Sequence, residues 1–280
     1  MNHFESIRIR LSDSYEVFAR LWMPRKPRGA VLYLHGIQSH GGWFETSAQR
    51  LSEAGFAVLL PDRRGSGRNN IDRGHLPSTK QLLRDITDFL DELHVRSNFN
   101  QVHVIGVSWG GKLALAIMQQ MPDRIRSLTL VAPGLFPKVD ISLSQKLRVV
   151  LSAALARRSR FDIPLNNPEL FTDNPIRRKY IQDDPLALHK VTTGFLLTSR
   201  KLDCYARNVT ENIKGCPLRV FLAGKDKIIN NAKTKEFIRR LSWHTREITE
   251  YQDAGHTLEF ESEPEPYQRN LVEWLKKVAE

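Results

Sequence analysis

Gly106-Val107-Ser108-Trp109-Gly110 lies between the apolar run Val102 to Ile105 and a helix-like run from Lys112 to Met121. This order places a serine where a strand turns sharply into a helix. Gly106 and Gly110 suit such a turn, because its backbone leaves no room for larger side chains. A serine held on a strand-to-helix turn stands exposed above a sheet, as a nucleophile does on its elbow. The same residues also read as a helix N-cap, since a serine in that place accepts a backbone N–H bond.

Outward from Ser108 the chain alternates. Ser6 to Leu11 and Glu16 to Trp22 read as a starting hairpin, Ala30 to Leu34 as a strand, Trp43 to Ala54 as a helix and Phe56 to Leu60 as a strand. Leu82, Leu83, Ile86, Phe89, Leu90 and Leu93 recur at helical spacing, with Ser78 placed to cap them. Leu128 to Val131 adds a strand; Leu218 to Ala223, Ala232 to Leu241, Arg246 to Tyr251 and Glu265 to Val278 resume the alternation later. Near-continuous apolar strands separated by helices imply an α/β fold whose mostly parallel sheet is covered on both faces. Between about Pro137 and Gly215 the rhythm breaks. Leu143 to Leu155 has helical spacing, and further helical stretches follow around Arg177 to Ile181 and Pro185 to Leu202, with no strand between them. The expected organisation is a core of residues 1–136 and 216–280 with a helical insertion at 137–215.

Composition bounds the partners. The chain of 280 residues, 41% hydrophobic, is long enough for one large α/β core with an insertion. Cys204 and Cys216 are too few for a disulfide framework and lack metal-ligand spacing, which predicts a reduced, cytoplasmic setting. The first residues have no apolar signal-peptide core, and no apolar run approaches membrane-spanning length. The net charge is +11, but the basic residues are scattered and form no nucleic-acid motif. Arg157, Arg158 and Arg160, then Arg177, Arg178 and Lys179, are local concentrations that suit either a solvated face or contact with an anionic membrane.

A serine hydroxyl is a weak nucleophile near neutral pH, so Ser108 needs a base, and the base needs an orienting acid. Nucleophilic serines recur with several chain orders of acid and base, and in the order known for strand-to-helix elbows the acid follows the serine and the histidine comes last. Asp226 lies just past the strand Leu218 to Ala223, where ligand-binding groups collect in open parallel sheets. His256 lies just past Arg246 to Tyr251. Both also have plain readings, as the cap of the next helix and as a surface-loop histidine, and Asp253 is a rival acid on the histidine's own loop. His35-Gly36-Ile37-Gln38 follows the strand Ala30 to Leu34, at a turn whose backbone amides point into the site. The N–H groups of Ile37 and Trp109 are the expected oxyanion donors, with His35 and Gly36 forming the turn. An ordinary strand-end turn is the alternative.

Over almost its full length the chain resembles the α/β-hydrolase superfamily, and within it the serine hydrolases of the monoacylglycerol lipase and lysophospholipase type. The resemblance rests on His35-Gly36, Pro61-Asp62-Arg63-Arg64-Gly65-Ser66-Gly67, Gly106-Val107-Ser108-Trp109-Gly110-Gly111, Ala223-Gly224-Lys225-Asp226 and Ala254-Gly255-His256. It implies a mostly parallel eight-stranded sheet flanked by helices, with the insertion as a cap over the active site. Val107 stands where the family's elbow usually carries a histidine. A serine, not an aspartate, at the elbow fits attack on an ester or thioester carbonyl without a cofactor or metal. The resemblance implies a small-molecule acyl ester as substrate, of the monoacylglycerol or lysophospholipid kind. A thioesterase or small-ester carboxylesterase is the second reading, and a non-catalytic scaffold or ligand-binding protein the reading from another class. Leu143 to Leu155, with Leu147 and Leu151, and Phe195, Leu196 and Leu197 suit either an acyl pocket or helix packing.

Overall fold

The computed structural model describes residues 4–209, 215–241, 243 and 245–279, without the side chains of residues 154 and 155. Its strands are β1 (Glu5–Arg10), β2 (Glu16–Trp22), β3 (Gly29–Leu34), β4 (Phe56–Pro61), β5 (Val102–Val107) and β6 (Ile125–Val131). They continue as β7 (Arg160–Asp162), β8 (Lys190–Thr192), β9 (Leu218–Ala223) and β10 (Arg246–Tyr251). The helices are α1 (Glu45–Glu53), α2 (Thr79–Ser97), α3 (Trp109–Gln120), α4 (Leu143–Leu155), α5 (Pro175–Asp183), α6 (Thr193–Arg207), α7 (Asn231–Arg240) and α8 (Glu265–Ala279).

Eight strands form one sheet in the order β1-β2-β4-β3-β5-β6-β9-β10. The β1–β2 and β2–β4 pairs are antiparallel and every other pair is parallel. The alternation predicts this mostly parallel sheet, and its eight strands are those that the resemblance to α/β-hydrolases implies. Every residue of β3, β4 and β5 is buried, because helices cover both faces of these central strands. Packing there joins α1 to α8, and α2 to α3. Local chemistry sets the ends: Ser78 Oγ accepts from the Gln81 N–H to start α2, and Asn98, left-handed at φ 62°, ends it. In a mostly parallel sheet the strand ends face one way, so the loops after β3, β5, β9 and β10 converge on one edge.

The segment between β6 and β9 differs from its sequence reading. Two strands, β7 and β8, pair antiparallel through Arg160–Thr192, Phe161–Val191 and Asp162–Lys190, where no strand is expected from the sequence. Three residues are too few to display alternation, so the pattern gave no signal. The expected helix from Pro185 begins instead at Thr193, because the Thr192 hydroxyl accepts from the Phe195 N–H and caps it. Among the described residues no helix is long and apolar enough to cross a membrane.

Helix α6 is fastened along α3. Trp109 stacks on Phe195 with ring centroids 5.4 Å apart, and its Nε1–H donates to Ser199 Oγ at 2.9 Å. Lys112 forms a buried ion pair with Asp203, and Gln119 Nε2 donates to the Tyr205 carbonyl at 2.7 Å. Further bonds tie the segment before α6 to the core: Leu188 N–H to the Gln38 carbonyl, Thr192 N–H to Gly74, and Arg73 to the carbonyls of Leu186 and Ala187. Helix α4 has a well-formed capping box between Ser142 and Gln145 but a different environment. Leu143, Leu147, Val150 and Leu151 are 62–83% exposed. Leu147 and Leu151 are therefore little covered in this arrangement, and Phe195 is buried against Trp109.

Candidate active site

Ser108 sits between β5 and α3 with φ 50° and ψ −118°, a left-handed conformation that costs a non-glycine residue about 1–3 kcal/mol. The surrounding backbone holds it there. Ser108 N–H donates to the Val131 carbonyl at 2.8 Å, and the Ser108 carbonyl accepts from Gly111 N–H at 2.9 Å and Gly134 N–H at 2.7 Å. At Gly110 a β-carbon would lie 2.3 Å from the Leu34 carbonyl oxygen, so no larger residue fits the turn. The N-cap reading fails, since the Ser108 hydroxyl makes no capping bond. It lies 3.0 Å from His256 Nε2.

His256 Nδ1 is 2.8 Å from Asp226 Oδ2, and all but a few percent of both residues is buried. The N–H groups of Ile228 and Ile229 donate to Asp226 Oδ1, each at 2.8 Å. Burial opposes ionisation of Asp226, but the imidazole charge, its hydrogen bond and these two amides outweigh it and hold the carboxyl below its ordinary value. An ionised Asp226 keeps the proton of a neutral His256 on Nδ1, leaving Nε2 free to accept from Ser108. Asp253 is excluded as the acid by its surroundings: it is exposed and paired with Lys225 Nζ at 2.9 Å.

The turn after β3 lies against the serine, and a β-carbon at Gly36 would stand 3.8 Å from Ser108 Oγ. His35 is buried and structural. Its Nε2 accepts from the Arg63 N–H at 2.8 Å, which puts the ring proton on Nδ1, and Nδ1–H donates to the Gly36 carbonyl at 2.8 Å. Burial and the neighbouring Arg63 push His35 well below the ordinary histidine value, so it stays neutral. Trp109 is the first residue of α3, so its N–H has no acceptor within the helix. Other histidines have local partners: His40 with Asp184, His75 with Thr192, His94 with the Phe99 carbonyl, His103 with Ser127 and His189 with Gln38. His3 and His244 lie outside the described residues.

Several residues around the site carry no signal in the sequence reading. Lys138 Nζ donates to the Asp226 carbonyl at 2.6 Å. Phe171 packs edge-to-face with His256, ring centres 6.1 Å apart, and its carbonyl accepts from Thr257 N–H. Glu261 Oε1 accepts from Gly255 N–H at 3.0 Å, and Glu259, fully buried, accepts from both the N–H and the hydroxyl of Ser47. Two glutamates within five residues of a histidine are the one hint the sequence offers for this buttress. Of the basic runs, Arg158 pairs with Asp72, Arg178 with Asp173 and Glu169, and Lys179 with Asp183, while Arg177 lies over the Phe260 ring. Three of the six charges are thus answered by a nearby carboxylate.

Comparison with known proteins gives the family of the chain. Phospholipase YtpA of Bacillus subtilis is 25% identical over 249 residues, covering 87% of this chain and 93% of its own. A monoacylglycerol lipase of Mycolicibacterium smegmatis is 24% identical, covering 91% of each chain. In three dimensions the chain is similar to the monoacylglycerol lipase of Paleococcus ferrophilus, with a TM-score of 0.85 at 23% identity, covering 94% of this chain and 99% of the other. The family described as serine aminopeptidase, S33, matches residues 25–263. The chain belongs to that family, and is an α/β-hydrolase of its ester-cleaving lipase and esterase kind.

Proposed function

We propose that Ser108, His256 and Asp226 are a catalytic triad that hydrolyses acyl esters of the monoacylglycerol or lysophospholipid class. The observation that carries this reading is the unbroken path from Ser108 Oγ through His256 to Asp226, at 3.0 and 2.8 Å. His256 Nε2 takes the hydroxyl proton as Oγ attacks the ester carbonyl. The resulting oxyanion is met by the N–H groups of Ile37 and Trp109. Collapse of the tetrahedral intermediate breaks the ester C–O bond, His256 returns the proton to the departing alcohol, and an acyl-Ser108 remains. Water, deprotonated by His256, then releases the acid by the same steps.

The names of the relatives support a lipid ester as substrate. In this reading residues 137–215 form a cap, with α6 as its fixed part and α4 as the part that meets lipid. Leu143, Leu147, Val150 and Leu151 offer the apolar contact, and Lys146 and Arg148 lie on the same helix for anionic headgroups. The test is hydrolysis of monoacylglycerol, lysophospholipid, p-nitrophenyl esters and acyl thioesters by one preparation, with fluorophosphonate labelling. Ser108→Ala should lose label and at least about a thousandfold in kcat while remaining folded. Turnover by Ser108→Ala near the parent rate refutes the triad, and a preference for thioesters refutes the substrate class.

A further inference from the structure

Behind the oxyanion turn lies a charge that the steps above do not use. Arg63 is only 5% exposed, and its guanidinium carbon stands 4.7 Å from the Trp109 ring centre and 5.3 Å from that of Phe195. Its Nη2 donates to the carbonyls of Gly36 at 3.3 Å and Ile37 at 3.0 Å. Nε and Nη1 have no hydrogen-bond partner among the described residues. Burial lowers the guanidinium to about 9, with the Asp62 charge working the other way, so it remains a cation at neutral pH. A buried cation held by carbonyls and aromatic faces, with no carboxylate among the described residues in ion-pair contact, is costly to keep.

The peptide between Gly36 and Ile37 gives that cost a reason. Its bond is trans, so the carbonyl and the N–H point in opposite directions. The Gly36 carbonyl is gripped by Arg63 Nη2 and His35 Nδ1–H. The Ile37 N–H is thereby turned away from Arg63, at the turn that borders Ser108. A cation on the carbonyl also polarises the amide, and a polarised amide donates more strongly. We infer that Arg63 is a positioning residue of the ester-cleaving reaction: its buried guanidinium fixes and polarises the Gly36–Ile37 peptide so that the Ile37 N–H meets the oxyanion. This inference rests on the Ser108 triad and its oxyanion donors. His35 shares the fixing but, being neutral, supplies no charge.

Arg63→Met and Arg63→Lys test it on a p-nitrophenyl ester and two inhibitors. One inhibitor is the matching trifluoromethyl ketone, which adds Ser108 Oγ and generates an oxyanion. The other is the ether with CH2 in place of the carbonyl, which cannot. Losing one direct oxyanion donor costs about a hundredfold to a thousandfold in kcat, so Arg63→Met should cost about tenfold to a hundredfold. KM and ether binding should stay within about twofold, while ketone affinity falls in step with kcat/KM. Arg63→Lys, which keeps the charge and the apolar stem, should recover part of both losses. Unchanged kcat and ketone affinity in Arg63→Met overturns the inference, as does an equal loss of ketone and ether binding, which marks a packing role. If Arg63→Met does not fold, Arg63→Lys decides alone: a several-fold fall in kcat and ketone affinity with ether binding intact supports the inference, and no change overturns it. A parent protein that neither cleaves the ester nor takes fluorophosphonate at Ser108 overturns the triad itself, whatever Arg63 does.

Discussion

Helices α4 and α6 belong to the same insertion and both carry apolar residues at helical spacing, yet they meet opposite surroundings. Helix α6 turns Phe195, Thr198, Leu202 and Ala206 onto the core and adds an ion pair and two hydrogen bonds to α3. Helix α4 turns Leu143, Leu147, Val150 and Leu151 to solvent and contacts mainly α6. A helical apolar stripe thus predicts a helix without saying what covers it. The contrast also divides the insertion into a part buried against and bonded to the core and a part held by little burial.

The strongest attack on this contrast is to break one ion pair from each helix. Asp203→Leu leaves Lys112 charged and buried, and should cost about 3–5 kcal/mol in urea unfolding. Asp140→Leu, which releases Lys146 on exposed α4, should cost at most about 1 kcal/mol. Equal costs would erase the distinction. A smaller effect belongs to the core alone. Burial pushes Glu259 up to about 7, against the hydrogen bonds from Ser47 and Gln268 and the charge of Arg177. The unfolded chain ionises this carboxyl above about 4.5 and the folded chain only above about 7, so folding retains a proton in between. Stability linked to Glu259 is thus complete below that window and falls as pH rises through it, by about 3 kcal/mol in all. Glu259→Gln should flatten the fall in urea midpoint between pH 5 and pH 8, whereas variants in α4 and α6 should keep it. Least costly to the fold is Leu147→Ser with Leu151→Ser, which should change stability by under about 0.5 kcal/mol. Its activity on dispersed monoacylglycerol should fall several-fold while that on a soluble acetyl ester holds. Equal loss on both would show that α4 has no contact with lipid.

The legible parts of the molecule are those where one residue type at one place answers a local demand. Ser108 is readable because the strand before it, the helix after it and the small residues beside it all point to one turn. Asp226 and His256 are readable because strand ends on a parallel sheet face the same edge, and Asp253, already badly placed on the histidine's own loop, is seen to be exposed and paired with Lys225. What escapes is decided by distant partners. Strands β7 and β8 are three residues long and bury only Phe161, Val191 and Thr192. Arg63 is visible as part of the Asp62 to Gly67 loop, but its grip on Gly36 and Ile37 depends on β3 and β4 lying side by side. The orientation of α4 depends on how much of the core α6 has already covered.

The left-handed turn at Ser108 bears on how an inactive form is chosen for trapping a bound ester. Alanine in that place has a β-carbon and keeps the same narrow choice of backbone, so the loop, the Trp109 amide and the space for a carbonyl stay as they are in the parent. Glycine removes the hydroxyl just as well, but it visits that region at no cost and many others besides, which gives the unfolded chain more freedom and the folded turn less definition. A complex captured with glycine would report a relaxed cradle, and one captured with alanine a cradle still under the tension in which the serine works.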